Sequence, residues 1–217
     1  MAIALDNSGG VKESGTVATI SDFVVGAGTN RCLIAFTNFR LDQTHVTEVK
    51  FGSTQFTNLI ASANYTCSYD TWYLKNPDVT TADLVANTGG SDPVGQNLAV
   101  ISLNGVDLDD SFSNYTALPN GDFTDYGIDI TTEAANSWVV GAVMPQTANY
   151  SSMVSDYTDW YNEDSTPGMF CSYRTTTTTG TYTLTWSGSG SSGAYCHHIE
   201  VKEAAAAAGR RRMLTMT

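Results

Sequence analysis

The chain is short of charged residues, and above all of positive ones. Lys and Arg number 10 among 217 residues against 22 Asp and Glu, so the net charge is −12 and the pI is near 4.3. Because proteins hold a phosphate backbone through clustered positive charge, this composition argues against a nucleic-acid partner. Charged residues make up only 15% of the chain, against roughly 25% in an average soluble domain. Thr, Ser, Asn, Gly and Tyr must therefore build much of the surface.

The sequence also lacks long apolar runs. No stretch reaches the roughly 18 apolar residues of a membrane-spanning helix, so we expect no membrane partner. The N-terminal letters MAIALDNSGG contain neither the basic nor the apolar region of a signal peptide. The chain is nevertheless 41% hydrophobic, with 8 Phe, 11 Tyr and 4 Trp, which is enough to fill a core and excludes a disordered protein.

Cysteine is scarce as well. The four cysteines form no CxxC pair, whereas zinc sites use closely spaced ligands. A disulfide framework would need a secretory context and would leave three pairings open. We predict reduced and mostly buried thiols, which behave as small hydrophobic side chains, at Cys32, Cys67, Cys171 and Cys196.

Where the sequence has a pattern, its period is two residues. The run Cys32–Phe39 begins as an almost continuous apolar stretch, as in a strand buried on both faces, and residues 46–51 alternate. Many short strands without a helical pattern before residue 204 predict an all-β fold, an antiparallel β-sandwich of jelly-roll type. Further strand-like runs, separated by Gly, Pro and Asn turn signals, are 71–74, 98–103, 138–143, 182–186 and 194–201.

A change of composition divides the chain after residue 203. Residues 1–203 hold all 22 acids and 7 of the bases and carry −15, whereas residues 204–217 hold three arginines and no acid and carry +3. We therefore predict a single folded domain over 1–203 and a short Ala/Arg-rich tail over 204–217.

The tail is a candidate partner-binding segment. Its arginines would suit the carboxylates of an acidic subunit, and its apolar residues would suit a groove. A frayed terminus is the alternative, and packaged DNA is a weaker one. The residues concerned are Arg210, Arg211, Arg212, Met213 and Leu214.

Several segments taken together resemble a known module. In order they are ALDN, NRCLIAF, VTEVKFGSTQF, TWYLKNP, AVISLNGVD, SWVVGAV, YTLTW and HHIEVKEA. Their succession over about residues 2–203 is similar to a β-sandwich module that recurs in tailed-phage structural proteins and in bacterial surface proteins. The resemblance implies a non-catalytic module that is often appended to larger chains. A free-standing copy without a signal peptide is expected in a virion rather than in a secreted surface array.

The motifs that resemble catalytic or cofactor sites have simpler explanations. Residues 188–193 match GxGxxG in letters, but the dinucleotide fingerprint must open a helix, and the strand-like run 194–201 follows here. His197 and His198 are neighbours in that run, so they point to opposite faces and do not share one ion. We expect one of them to pack inward and the other to reach solvent. No G-x-S-x-G elbow is present, and we expect no enzyme.

Two ligand sites are nevertheless predicted. A Gly-Val-Asp-Leu-Asp-Asp loop brings together Asp107, Asp109 and Asp110, and such oxygens bind Ca²⁺, although the spacing is not that of an EF-hand. A solvated loop is the alternative there. The aromatic and acidic segment 156–164 includes three rings that would stack on a sugar or form an interface if exposed, while glycoside hydrolysis by its carboxylates is the least favoured interpretation. The rings are Tyr157, Trp160 and Tyr161.

Together these features predict a virion structural protein. We expect a capsid decoration subunit, or part of a fibre or spike, that binds other virion proteins such as capsid or fibre subunits and forms a homo-oligomer. The alternative is a carbohydrate-binding or adhesin module at a cell surface, with a host glycan as its ligand. No cofactor is expected apart from Ca²⁺ at the aspartate loop.

Overall fold

The computed structural model describes residues 2–40, 46–63, 67–89, 95–122, 125–145, 150–153, 157–165, 167–188 and 193–205. Within these ranges the chain forms 17 strands and no helix, which confirms the all-β prediction. All the strand pairs recorded there are antiparallel. The described part of the chain has no helix long and apolar enough to cross a membrane.

The first nine strands build two sheets. They are β1 (Ala4–Glu13), β2 (Val17–Val24), β3 (Cys32–Phe39), β4 (Glu48–Phe51), β5 (Thr54–Gln55), β6 (Thr57–Ala63), β7 (Ser68–Lys75), β8 (Thr81–Asn87) and β9 (Gln96–Asn104). The large sheet has the order β1-β9-β3-β7-β6, and the small sheet has the order β2-β8-β4-β5.

The pairing within this half is nested. β1 pairs with β9, β2 with β8, β3 with β7, and β4 with β5. A long hairpin folded over into two sheets gives this pattern, which is that of a jelly roll. β6 adds an edge strand beside β7. We call β1–β9 roll 1.

The remaining strands repeat the arrangement. They are β10 (Tyr115–Asp122), β11 (Asp125–Thr131), β12 (Trp138–Pro145), β13 (Tyr150–Met153), β14 (Thr158–Glu163), β15 (Met169–Thr175), β16 (Thr181–Gly188) and β17 (Gly193–Val201). The large sheet is β10-β17-β12-β15-β14 and the small sheet is β11-β16-β13. Nesting recurs, because β10 pairs with β17, β11 with β16 and β12 with β15. We call β10–β17 roll 2. The predicted jelly-roll-like sandwich is confirmed, and the structure adds a second one.

The two rolls also share their registers. Cys32, which begins β3, lies opposite the ends of β7 and β9, and Trp138, which begins β12, lies opposite the ends of β15 and β17. Two residues ahead of each, Asn30 and Asn136 adopt left-handed backbone conformations with φ of 53° and 58°. Asn tolerates this region better than most residues. The chain is therefore a tandem structural repeat.

The four sheets stack as layers, with the two large sheets in the middle. Three buried clusters lie between the layers, and each fully buried Leu, Ile, Val or Phe side chain in them contributes about 1.5–3 kcal/mol to stability. Outer cluster 1 lies within roll 1, the central cluster lies between the rolls, and outer cluster 2 lies within roll 2. Their members include, respectively, Leu33, Phe39 and Leu84; Phe36, Ile101 and Val140; and Ile128, Val143 and Leu184.

Because each large sheet is covered on both faces, its middle strands are buried at every position. β3 and β12 are buried along all eight of their residues, which explains their nearly continuous apolar letters. The four cysteines are buried and form no disulfide, as predicted. Burial raises the pKa of the Cys32 thiol to about 12 and also raises the pKa of Cys171 and Cys196, so these thiols are unreactive in the closed fold.

Candidate functional site

The two large sheets face each other across a buried layer, which we call the inter-roll layer. At one side β1 lies against β14, where Gly10 approaches the ring of Tyr161. At the other side β6 lies against β17, the neighbour of β10, and Ser62 Oγ is 3.1 Å from Nε2 of His197.

One part of the inter-roll layer is aromatic and contains a histidine. The His197 ring crosses from roll 2 to two hydroxyl groups of roll 1, with Nδ1 2.8 Å from Thr71 Oγ1 and Nε2 3.1 Å from Ser62 Oγ. Nearby, the rings of Tyr69 and Tyr195 stack with their centroids 4.2 Å apart. The Tyr195 hydroxyl also donates a hydrogen bond of 3.0 Å to a backbone carbonyl at the end of β6.

Amide side chains on the neighbouring strands β3 and β9 also hold the layer, and Asn38 lies directly opposite Tyr69. Asn38 donates from Nδ2 to the Gly168 carbonyl at 2.7 Å. Asn97 donates from Nδ2 to Asn38 Oδ1 at 2.7 Å and to the Pro167 carbonyl at 2.9 Å, and the Tyr161 hydroxyl donates to Asn97 Oδ1 at 3.3 Å. Fully satisfied buried networks of this kind specify one packing arrangement, so these bonds fix how roll 1 sits on roll 2.

Both histidines of β17 are fully buried, which corrects the prediction that one of them reaches solvent. His198 points away from the inter-roll layer into outer cluster 2, where its Nε2 is 3.4 Å from the Tyr157 hydroxyl. The prediction assumed that one face of the sheet is exposed to solvent, whereas both faces of this sheet pack against other sheets. Burial lowers the pKa of both His197 and His198 to about 3, so both rings are neutral near pH 7.

Glu200, also in β17, is a buried carboxylate with a structural role. It accepts hydrogen bonds from the backbone N–H groups of Glu133 and Ala134 and from the side chains of Asn114 and Ser137. Burial raises the pKa of Glu200, but these donors outweigh burial and hold the pKa below its ordinary value. The carboxylate therefore stays charged and ties the loop before β12 to the end of β17.

The predicted calcium loop is occupied by internal contacts. Asp107 Oδ1 accepts the backbone N–H groups of Asp109 and Asp110 at 3.0 and 3.2 Å, and Asp110 Oδ2 is 2.7 Å from Lys202 Nζ. Among the described residues, no group of three or more His, Cys, Asp or Glu is placed to hold a metal. Calcium binding stays a prediction. The loop borders an open cleft of about 370 Å³ whose lining includes Asn30, Asn76, Asp107, Leu108 and Asp109.

The predicted sugar-stacking rings lie on two sides of one sheet. Tyr157 is only 9% exposed and packs in outer cluster 2. Trp160 and Tyr161 are half-buried against the central cluster, and the Trp160 ring centroid is 6.3 Å from that of Phe36. Sugar binding by these rings stays a prediction, which this placement does not favour.

Two other predicted features fall partly or wholly outside the described residues. Residues 189–192 of the glycine run are outside, but β17 begins at Gly193, so the run leads into a strand, as predicted, and not into the helix of a dinucleotide site. The tail segment 206–217 is also outside. It contains Arg210, Arg211, Arg212, Met213 and Leu214.

The sequence analysis missed Asn38 and Asn97 of the inter-roll layer, and it noted His197 without a contact to another sheet. Asn38, Asn97 and His197 are buried polar residues within strands that are rich in apolar residues. A polar side chain inside a fully buried strand needs a hydrogen-bond partner. Polar residues at such positions therefore indicate a contact with a neighbouring sheet. The sequence did not indicate which strand supplies the partner.

Comparison with known proteins gives no family. No protein-family model matches the chain, and no curated protein matches it in sequence. Among solved structures, that of Cucumber Leaf Spot Virus is similar over 94% of this chain and 87% of that chain, with 12% identity and a TM-score of 0.26. At this identity and TM-score, neither the fold nor the function of this chain is inferred from that structure.

Proposed function

We propose that the chain is a structural subunit of a phage-like particle, either a capsid decoration subunit or part of a fibre or spike. It would act through protein–protein contacts and without catalysis. The observation that carries the proposal is the tandem of jelly rolls whose buried polar groups, such as His197 and Glu200, bond to other parts of the body. Jelly rolls serve in viral capsids and in lectins. Since a fold alone does not set function, the proposal is tested on the particle itself.

The charge distribution indicates how such a subunit would bind its partners. The body carries −15, so two bodies repel each other at long range, whereas the tail carries +3. Arginine binds carboxylates in bidentate fashion and is favoured in interfaces. We propose that the tail binds an acidic surface of a neighbouring particle subunit or of a second copy. The exposed apolar side chains of the described body are few, and include Leu5, Val17, Val24, Val79 and Tyr115.

The first test is co-purification. Particles from the source are banded in a density gradient, and mass spectrometry asks whether this chain migrates with the major capsid protein. We expect co-migration at a fixed stoichiometry, with a copy number that separates a decoration subunit from a fibre. If the chain is missing from intact particles, the virion proposal is wrong, and titration of tryptophan fluorescence with glycans then tests the carbohydrate-binding alternative.

The second test removes the positive charge of the tail and measures binding to the particle. Replacing Arg210, Arg211 and Arg212 together by Ala should weaken binding of the purified chain to particles that lack it by about tenfold or more at low salt, because attraction between opposite charges is lost. The difference should shrink at high salt, which screens exposed charges. The matched control replaces the same three residues by Lys, which keeps the charge and should keep most of the binding. Equal binding of the Ala variant and the wild type would contradict a role for the tail.

A further inference from the structure

The histidine of the inter-roll layer stands where only the contact between the rolls hides it. His197 belongs to roll 2, but both its ring nitrogens face hydroxyl groups of roll 1, on Thr71 and Ser62. Separating the two large sheets would give both nitrogens to water and leave the strands of each roll paired. Full separation would also break the bridge between Val106 and Glu203, which joins the chain after β9 to the chain after β17. His198, next to it, points into outer cluster 2 and would stay buried in the same event.

No carboxylate contacts His197 from the described elements around it. β6 and β7 present hydroxyl groups, and β10 and β12 pair with it through alanines. Asp70 of β7 is on the opposite face, where its Oδ2 is 3.4 Å from the Val46 backbone N–H. The ion pair between Lys12 and Glu163 crosses the layer at its other edge, β1 against β14. The titratable groups that share the central cluster are Cys32, Cys67, Cys171, Tyr69, Tyr73, Tyr161, Tyr173 and Tyr195. Cys and Tyr side chains ordinarily remain uncharged in acid.

We propose that the inter-roll layer is an acid-sensitive joint: protonation of His197 favours separation of roll 1 from roll 2 while each roll keeps its own fold. The closed layer offers the cation no counter-charge, whereas the open layer hydrates it. Each roll retains an outer cluster between its own two sheets, so the separated state remains folded. The proposal rests on this geometry and does not depend on a role in a virion.

The expected pH dependence follows from linkage. Burial lowers the pKa of His197 to about 3 in the closed state, and an exposed histidine has its ordinary value near 6.5. Below that value the open state binds a proton that the closed state does not. The equilibrium constant for opening should therefore rise about 16-fold between pH 6.5 and pH 5, a window above the ordinary titration of Asp and Glu.

The cysteines report where the molecule opens. Cys32, Cys67 and Cys171 belong to the central cluster, whereas Cys196 belongs to outer cluster 2. The full chain is exposed to a thiol-reactive disulfide that works in mild acid, and mass spectrometry gives the labelling rate of each cysteine. Dividing the rate in urea-unfolded chain by the rate in native chain at the same pH gives a protection factor that is independent of thiol ionisation.

An acid-sensitive joint predicts a specific pattern of cysteine protection as pH falls. Protection of the three central cysteines should fall about 16-fold between pH 6.5 and pH 5, while Cys196 stays protected. His197→Gln, which keeps an amide against the same hydroxyl groups but does not titrate, should remove this slope. His198→Gln is the matched control and should leave it unchanged. If all four cysteines lose protection together, or if the slope is the same in His197→Gln, the joint does not exist. Should His197→Gln fail to fold, the contrast between central cysteines and Cys196 in the wild type decides alone.

Discussion

At the residue scale, each roll fixes the loop before its central strand with a carboxylate, but takes that carboxylate from a different strand. In roll 1, Asp6 of β1 accepts the Gly26 N–H at 2.9 Å and the Ser102 hydroxyl at 2.8 Å. In roll 2 the carboxylate is Glu200 of β17, which stands at the position equivalent to Ser102, since these residues lie opposite Val139 and Leu33 respectively. The repeat thus preserves the hydrogen bonds that fix the loop, but not the residue types that form them.

Removing the charge of Glu200 should destabilise the chain strongly. In Glu200→Gln, one acceptor becomes an NH₂ donor that faces the N–H groups of Glu133 and Ala134, so buried donors lose their acceptor. We expect the free energy of unfolding to fall by about 2–4 kcal/mol, measured by urea unfolding. Glu13→Gln, at an exposed position of β1, should change it by less than about 0.5 kcal/mol. A loss for Glu200→Gln as small as that of Glu13→Gln would contradict the role described for this carboxylate.

At the element scale, the close approach of β1 to β14 depends on a missing side chain. A Cβ at Gly10 would lie 2.1 Å from the Tyr161 ring, whereas a Cβ at Gly9 would meet Phe23 at 3.7 Å, an ordinary contact. β1 is the edge strand of its sheet, and this contact is one of those that place it against roll 2.

Gly10→Ala should therefore cost about 1–3 kcal/mol of unfolding free energy through overpacking, as measured by urea unfolding, and Gly9→Ala should cost clearly less. Adding Tyr161→Leu to Gly10→Ala removes the ring that the new methyl group meets, so the double variant should lose less than the sum of the single changes. Strict additivity would show that the strands are not in contact as described.

The elements themselves were largely predictable from the sequence, but their partners were not. Cys32–Phe39 and residues 98–103 were expected as strands from their apolar letters, and they are β3 and β9. β1 pairs with β9 across almost the whole of roll 1, and no local pattern encodes a pairing between segments so far apart. The second roll was missed for a similar reason, because the repeat conserves register and hydrogen bonds but few letters. The exposure predicted for one histidine of β17 was wrong. Adjacent residues of a strand point to opposite faces of the sheet, but this does not show whether each face is covered by another sheet.

At the scale of the whole molecule, burial of two adjacent histidines makes stability depend on pH. The pKa of His197 and of His198 is about 3 in the folded chain and near 6.5 when unfolded. As pH falls below 6.5 the unfolded chain binds protons first, so the free energy of unfolding falls. The two histidines do not lower the free energy of unfolding well above pH 6.5. Their destabilising effect grows as pH falls below 6.5 and is complete at about pH 3.

The loss should be about 4 kcal/mol between pH 7 and pH 5 for the two histidines together, measured by urea unfolding at the two pH values. The variant that carries both His197→Gln and His198→Gln should lose much less over the same interval. An equal loss in wild type and variant would assign the acid sensitivity to carboxylates instead.

The nested pairing also sets the order in which the molecule can be made. β9 and β17 come last in their rolls, yet each takes a place inside its large sheet, between strands that leave the ribosome much earlier. Roll 1 cannot close until residue 104 has been synthesised, and roll 2 cannot close until residue 201. Until then, the apolar faces that will form the central cluster have no cover, and distant pairings of this kind form slowly. During biosynthesis, the interval before β17 emerges is therefore the time at which the nascent chain is most exposed to aggregation.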